Sequence, residues 1–326
     1  MMRGIVVTMA LAGAIAAGLA PAAHAQSFPQ KPVRVVLPFV AGAGPDLVAR
    51  LLTEKMAQST GQQFIIDNRA GANGLIALES VAKSPPDGYT IVFADIGQFA
   101  INPSLYKKLP YDAEADFAPI ALAYTTPFYV LASGKGPYKT LAELLAAAKA
   151  KPGGVNFASA GSGSPTQLFM EQLKTAAGVD MAHIPFKGGP QIIPAILSGD
   201  VASVMLGMAS VRGLVETGQL RALAVTSATR AGGFPDIPTV AEAAGLKGFN
   251  AVTWVAFAAP AKTPRDIVDK LNGEIRKALA LPEVRTRMAA MGFDPAGGSP
   301  EQMAQRVRED SATYSTIIKA TGAQAD

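Results

Sequence analysis

Short apolar runs alternating with helix-periodic segments constrain this chain more than any other feature. Residues 33–39 (VRVVLPF) form an apolar run after Pro32, the mark of a strand buried on both faces of a parallel sheet. Residues 46–58 (DLVARLLTEKMAQ) place apolar side chains at 47, 48, 51, 52 and 56, a helical spacing, and Gly61 lies just beyond. A second strand (63–67, QFIID), a loop (NRAGANG), a second helix (75–83), a Pro-Pro-Asp-Gly turn and a third strand (90–94, TIVFA) follow. This β-α-β-α-β order predicts a parallel, doubly wound sheet with right-handed crossovers. The pattern restarts after Lys151-Pro152-Gly153-Gly154, with a strand at 155–159, a loop at 160–164 and a helix at 165–177. Short strands at 183–186, 201–206 and 221–226 complete it. Two extended apolar segments, 118–132 and 252–259, read as crossings between domains. The expected fold is therefore two doubly wound α/β domains joined by a two-segment hinge. Domain 1 takes residues 26–127 and 250–326, and domain 2 takes 128–249.

The first 25 residues stand apart. Met1, Met2 and Arg3 precede an apolar stretch over 4–20, Pro21 ends it, and Ala23-His24-Ala25 supplies the small residues of a cleavage site. This reads as a signal peptide over 1–25, cleaved before Gln26, and places the mature protein in the periplasm. The apolar run is shorter than the roughly 20 residues of a spanning helix. No cysteine is present, so neither a lipid anchor at the cleavage point nor a disulfide is available.

Chemistry is narrowed in the same way. Beyond the leader the chain holds one histidine, His183, and no thiol, which removes most zinc sites and nucleophilic triads. No Gly-x-x-x-x-Gly-Lys-Ser/Thr loop supports nucleotide hydrolysis. Basic residues are scattered, with no run of five and no basic-aromatic cluster, so no nucleic-acid partner is expected. No cofactor, no metal and no enzymatic activity are expected. A hydrolase using a serine of 159–164 would lack an evident base.

Two turns carry the functional reading. Phe39-Val40-Ala41-Gly42-Ala43-Gly44-Pro45-Asp46 follows the first strand, and Ser159-Ala160-Gly161-Ser162-Gly163-Ser164-Pro165-Thr166 follows the first strand of the second domain. In open α/β sheets ligands bind beyond the carboxyl ends of the strands. Small residues let backbone amides approach a ligand, and each turn leads into a helix N-terminus with Pro at its start. Ser164, with Gln167 three residues on, has the capping-box pattern. Together these features describe an anion site. Asp46 would repel an anion, so its role is indirect or toward a ligand amino group. Lys187 supplies a candidate cation.

At these residues the chain resembles the Bug family, the extracytoplasmic receptors of tripartite tricarboxylate transporters. The matching stretches run in order through residues 32–326: PFVAGAGPD, DNRAGANG, PDGYT, INPSLYKKLPYD, NFASAGSGS, HIPFKGG, GQLRALAVTS, FPDIPTVAEA and APAKTPRDIV. The resemblance implies a type II-like periplasmic binding protein clamshell, a small organic carboxylate ligand, membrane subunits of a tripartite transporter as partners, and a monomer. It implies that Phe39, Ala41 and Gly42 line one wall, that Ser159, Gly161, Ser162, Ser164 and Thr166 form the other, and that Gly97 and Asn102 sit at the mouth. Three positions depart from the family's pattern. Ala43 stands where a Gly is common, Pro45 where a Thr is common, and Leu206 where an Asp is common, the last of which points to an apolar or aromatic monocarboxylate. A periplasmic sensor built on the same clamshell is the alternative function.

Overall fold

The computed structural model describes residues 28–186 and 189–324. The expected leader over 1–25 and the candidate cation Lys187 lie outside the described residues. Among those described, no helix is long and apolar enough to cross a membrane.

Eleven strands among the described residues divide between two sheets. The first contains β1 (Val33–Leu37), β2 (Phe64–Asn68), β3 (Thr90–Asp95), β4 (Phe117–Pro127), β10 (Val252–Pro260) and β11 (Asp294–Gly297), in the order β11-β4-β10-β3-β1-β2. The second contains β5 (Tyr129–Ser133), β6 (Asn156–Ser159), β7 (Ala182–Pro185), β8 (Ser203–Leu206) and β9 (Leu220–Val225), in the order β7-β6-β8-β5-β9. β1 is apolar because both its faces are covered. Val36 packs with Ala77 and Leu78 of the helix Leu75–Ala82, while Val35 and Leu37 pack with Val48 and Leu52 of the helix Gly44–Thr60.

The expectation of parallel sheets holds for β2-β1-β3 and β7-β6-β8 and fails elsewhere. β10 runs antiparallel to both β3 and β4, β11 antiparallel to β4, and β5 antiparallel to β8 and β9. The cause is the crossing itself. β4 leaves the first sheet at its carboxyl edge and passes through the single residue Phe128 into β5. β5 must therefore start at the carboxyl edge of the second sheet and run against β8. β9 ends at that same edge, and the chain returns to begin β10 at the carboxyl edge of the first sheet. Residues 252–259, expected to be the crossing, are thus a central strand of the first sheet, and the crossing precedes them. This topology turns the carboxyl edges of the two sheets toward one another.

The two crossings are tied together at one point. The Phe128 amide donates to Thr226 Oγ1 (2.9 Å), the Thr226 amide donates to the Phe128 carbonyl (2.9 Å), and the Ala251 amide donates to the Thr226 carbonyl (2.9 Å). On one side of this hinge the lobes share an apolar contact. Phe169, in the helix Pro165–Ala177, lies between Phe128 (ring centroids 5.1 Å apart) and Tyr314 of the C-terminal helix Pro300–Thr321 (6.1 Å).

Candidate functional site

The turn after β1 is held by a carboxylate. Asp46, on the first turn of the helix Gly44–Thr60, is 1% exposed. Its Oδ2 accepts from the Gly42 amide (2.8 Å) and Arg50 Nε (2.9 Å), and its Oδ1 accepts from Asn68 Nδ2 (2.9 Å) and Arg50 Nη2 (3.1 Å). Asn68, at the end of β2, also donates to the Phe39 carbonyl (3.0 Å). Burial by itself would raise the Asp46 carboxyl, but the hydrogen bonds from Arg50, Gly42 and Asn68 outweigh it and hold the pKa below its ordinary value. Asp46, expected among the ligand residues, shapes the turn. Its carboxylate is spent on its own backbone, its helix and β2. The shaped turn exposes Ala41 and Gly42, with Phe39 half-buried beside them. The amides of Ala41 and Gly44 have no hydrogen-bond partner among the described residues. Gly42 has φ of 80°, and Gly44 lies against Phe293, whose Cζ is 2.7 Å from where a β-carbon would stand. A larger residue at 44 has no room.

The turn after β6 is likewise bonded to itself. Ser159 is 0% exposed, and its Oγ donates to the Gly161 carbonyl (3.0 Å) and lies 2.6 Å from His183 Nε2. The Ala160 amide donates to Thr166 Oγ1 (2.8 Å), and the Gly161 amide to Ser159 Oγ (3.2 Å). Ser164 Oγ donates to the Gly161 carbonyl (2.6 Å) and accepts from the Gln167 amide (3.4 Å), so it caps the helix Pro165–Ala177. The capping box is not reciprocal. Gln167 Oε1 accepts from the Gly163 amide (2.6 Å) instead of from Ser164. The hydroxyls of Ser159, Ser164 and Thr166 are therefore employed within the turn. Ser162 is exposed, and its amide and hydroxyl have no partner among the described residues.

The structure gives His183 a specific structural task. Its ring stacks on Phe157 (centroids 5.0 Å apart, 22° between planes), and Gln167 Nε2 lies 3.2 Å from its Nδ1. Burial, then the charge of Lys174, lowers its pKa. The neutral ring thus bridges β7 to the turn through Ser159. Sequence reasoning missed this pairing and with it a base beside a serine. The signal lies in the register Phe157↔His183, which brings the end of β6 alongside β7.

The edge of β3 supplies the third element. The Gly97 amide donates to Asp95 Oδ1 (2.7 Å), and Gln98 Oε1 accepts from the Asp95 amide (2.9 Å). The Gly97 amide is thus employed on Asp95. Burial raises the Asp95 carboxyl to about 6 against the opposing amide bonds of Gly97 and Gln98. Asn102, 2% exposed, donates to the Asn73 carbonyl (3.1 Å) and lies 3.2 Å from the Tyr111 hydroxyl. It pins the loop after β2, where four consecutive residues, Gly71 to Gly74, have positive φ. Asn102, expected at the mouth, is a buried support of this loop. One contact joins this edge to the second lobe. Leu105 packs on Gly163, at which a β-carbon would stand 2.4 Å from Leu105 Cδ2.

Leu206, 7% exposed at the end of β8, faces apolar neighbours, Tyr129 and Met208 among them. Beyond it a cavity of about 680 Å³ opens between the lobes. Gly44, Leu47 and Phe293 of the first lobe and Tyr129, Met208 and Phe234 of the second lie on its walls.

Residues 48–323 match the family model described as tripartite tricarboxylate transporter family receptor. Protein BugT of Bordetella pertussis is 34% identical over 311 residues, 94% of this chain and 94% of that protein. Among solved structures, an R. palustris protein determined with adipate superposes with a TM-score of 0.78 at 32% identity, covering 91% of this chain and 99% of that one. MatC from Rhodopseudomonas palustris with bound malate gives 0.74 at 33% identity, covering 89% and 100%.

Proposed function

Because the chain belongs to the tripartite tricarboxylate transporter receptor family, we propose that it works in the periplasm as a solute receptor. Its two lobes close on a small organic carboxylate and present the closed form to the membrane subunits of a transporter. The observation that carries this reading is the pair of self-bonded turns at facing carboxyl edges. Each spends its side-chain oxygens on its own backbone and leaves amides, those of Ala41, Gly44 and Ser162, without a partner. Amides fixed beside helix N-termini favour an anion. Adipate and malate, the acids named with the two neighbours, are of the class such a site takes.

The same geometry argues against catalysis by Ser159. His183 stands within hydrogen-bonding distance, but Ser159 is fully buried, and the far nitrogen of the ring faces the Gln167 amide instead of a carboxylate. A nucleophile needs access and an oriented base, and this serine has neither. In the proposed reading the protein acts as a monomer and returns its ligand unchanged.

Titration calorimetry against a panel of organic acids tests the reading. Ser162→Asp sets a like charge beside the exposed amide and weakens binding at least tenfold, about 1.4 kcal/mol. Unchanged affinity in that variant removes the turn from the site.

A further inference from the structure

We propose that the cargo is a monocarboxylate with a ring-sized apolar body and a distal hydroxyl, and that Tyr129 and Asp294 read the hydroxyl. The inference rests on the anion-receptor reading above and adds what lies at the ligand's other end.

Strand register sets the scale. β5 pairs with β8 at Tyr129↔Leu206, and β8 pairs with β6 at Val204↔Ala158, so Leu206 falls beside Ala160, two residues along. Ala160, Leu206 and Tyr129 thus form one row across three strands. Two strand spacings separate the ends of that row, about 10 Å. A ligand whose carboxylate meets the Ser162 amide passes over Leu206 and arrives at Tyr129.

At that end the chain offers two polar groups with nothing to bond. Tyr129 is 3% exposed and lines the interlobe cavity, yet its hydroxyl has no hydrogen-bond partner among the described residues. Asp294, exposed at the start of β11, lines the same cavity from the first lobe and has no protein partner among the described residues. With no protein acceptor and a place on the cavity wall, the Tyr129 hydroxyl keeps its proton for a guest. Both residues line the same cavity, where burial, then the charge of Asp294, pushes the Tyr129 hydroxyl up to about 12. A ligand hydroxyl satisfies both, accepting from Tyr129 and donating to Asp294. A second ligand carboxylate would meet the Asp294 charge. Arg212 also lines the cavity; its Nε donates to Glu216 (2.9 Å), and its guanidinium lies 5.3 Å from the Phe234 ring centre. The cavity walls include Leu47, Met208, Phe234 and Phe293, which suit an apolar body. The cavity, about 680 Å³, has the capacity of small-molecule sites.

The test is titration of the purified protein with 4-hydroxyphenylacetate, phenylacetate and adipate, on wild type, Tyr129→Phe and Asp294→Asn, with thermal midpoints confirming folded variants. In the wild type, 4-hydroxyphenylacetate binds at least tenfold more tightly than either other acid. Tyr129→Phe abolishes the preference over phenylacetate while phenylacetate keeps its affinity. Asp294→Asn, which leaves every hydrophobic wall in place, strengthens adipate binding and weakens the hydroxy acid. A wild type that favours adipate or phenylacetate overturns the inference and leaves the anion reading standing, as does hydroxyl discrimination that survives both variants. Binding of none of the three acids overturns the two together.

Discussion

Replacing Asp46 with alanine removes the carboxylate on which the turn after β1 is folded. Four hydrogen bonds end on it. The two from Arg50 come from a side chain that is 51% exposed; water takes their place, and they contribute less than about 1 kcal/mol. The two from Gly42 and Asn68 are neutral donors to a buried charge, and each contributes about 1.5 kcal/mol, the lower end for bonds to ionised groups. The sum is about 3–4 kcal/mol, which at about 2 °C per kcal/mol lowers the melting temperature by roughly 6–8 °C. Differential scanning calorimetry at pH 7 measures it. Arg50→Ala, the control, lowers the midpoint by no more than about 2 °C. Acidity has the same target. The folded-state pKa of Asp46 is depressed, so its contribution is complete above the ordinary value of 3.8 and is lost as pH falls through the lower folded value. The alanine variant loses that acid-dependent component. A midpoint within 1 °C of wild type for Asp46→Ala would refute the assignment of the turn to this carboxylate.

Two further outcomes follow from the geometry. Gly163→Ala places a methyl group 2.4 Å from Leu105 in a residue with φ of 76°; the lobes separate, and small-angle scattering records a larger radius of gyration with a lower melting temperature, an unchanged profile counting against the contact. Asp95 has its pKa raised from 3.8 to about 6 by burial, so the folded state binds the extra proton and stability falls as pH rises between those values; Asp95→Asn flattens that part of the stability–pH curve measured by urea unfolding, and an unaltered slope would contradict the burial argument.

What the sequence disclosed, and what it hid, divides along the range of the interactions. Residues 33–37 and 165–177 are legible because their signals are local: apolar side chains covered on both faces, and Ser164-Pro165 opening a helix. β11 is not legible, since Asp-Pro-Ala-Gly has the composition of a turn and becomes a strand only by pairing with β4. The reversal of β5 and β10 was hidden as well, because strand direction follows from where the chain crosses between lobes. In the candidate site, the two small-residue turns were visible, but the division of labour within them was not. Ser159 and Ser162 look equivalent in sequence, and only the neighbouring strand, through His183, makes one a support and leaves the other free. Tyr129 passed unremarked inside an apolar stretch, since an unpaired hydroxyl is a property of surroundings. Asp95 was overlooked for the same reason.

The self-bonded turns have a consequence for how such a receptor changes over time. A ligand arriving at either turn meets a surface already ordered, so association requires little backbone rearrangement and sacrifices little conformational entropy. In the proposed reading, the carboxylate end of a guest is held by backbone geometry that few substitutions can disturb without unfolding the turn. The walls beyond Leu206 carry no such obligation. New cargo can be acquired by exchanging side chains there, one at a time, while the grip on the shared acid group is inherited intact.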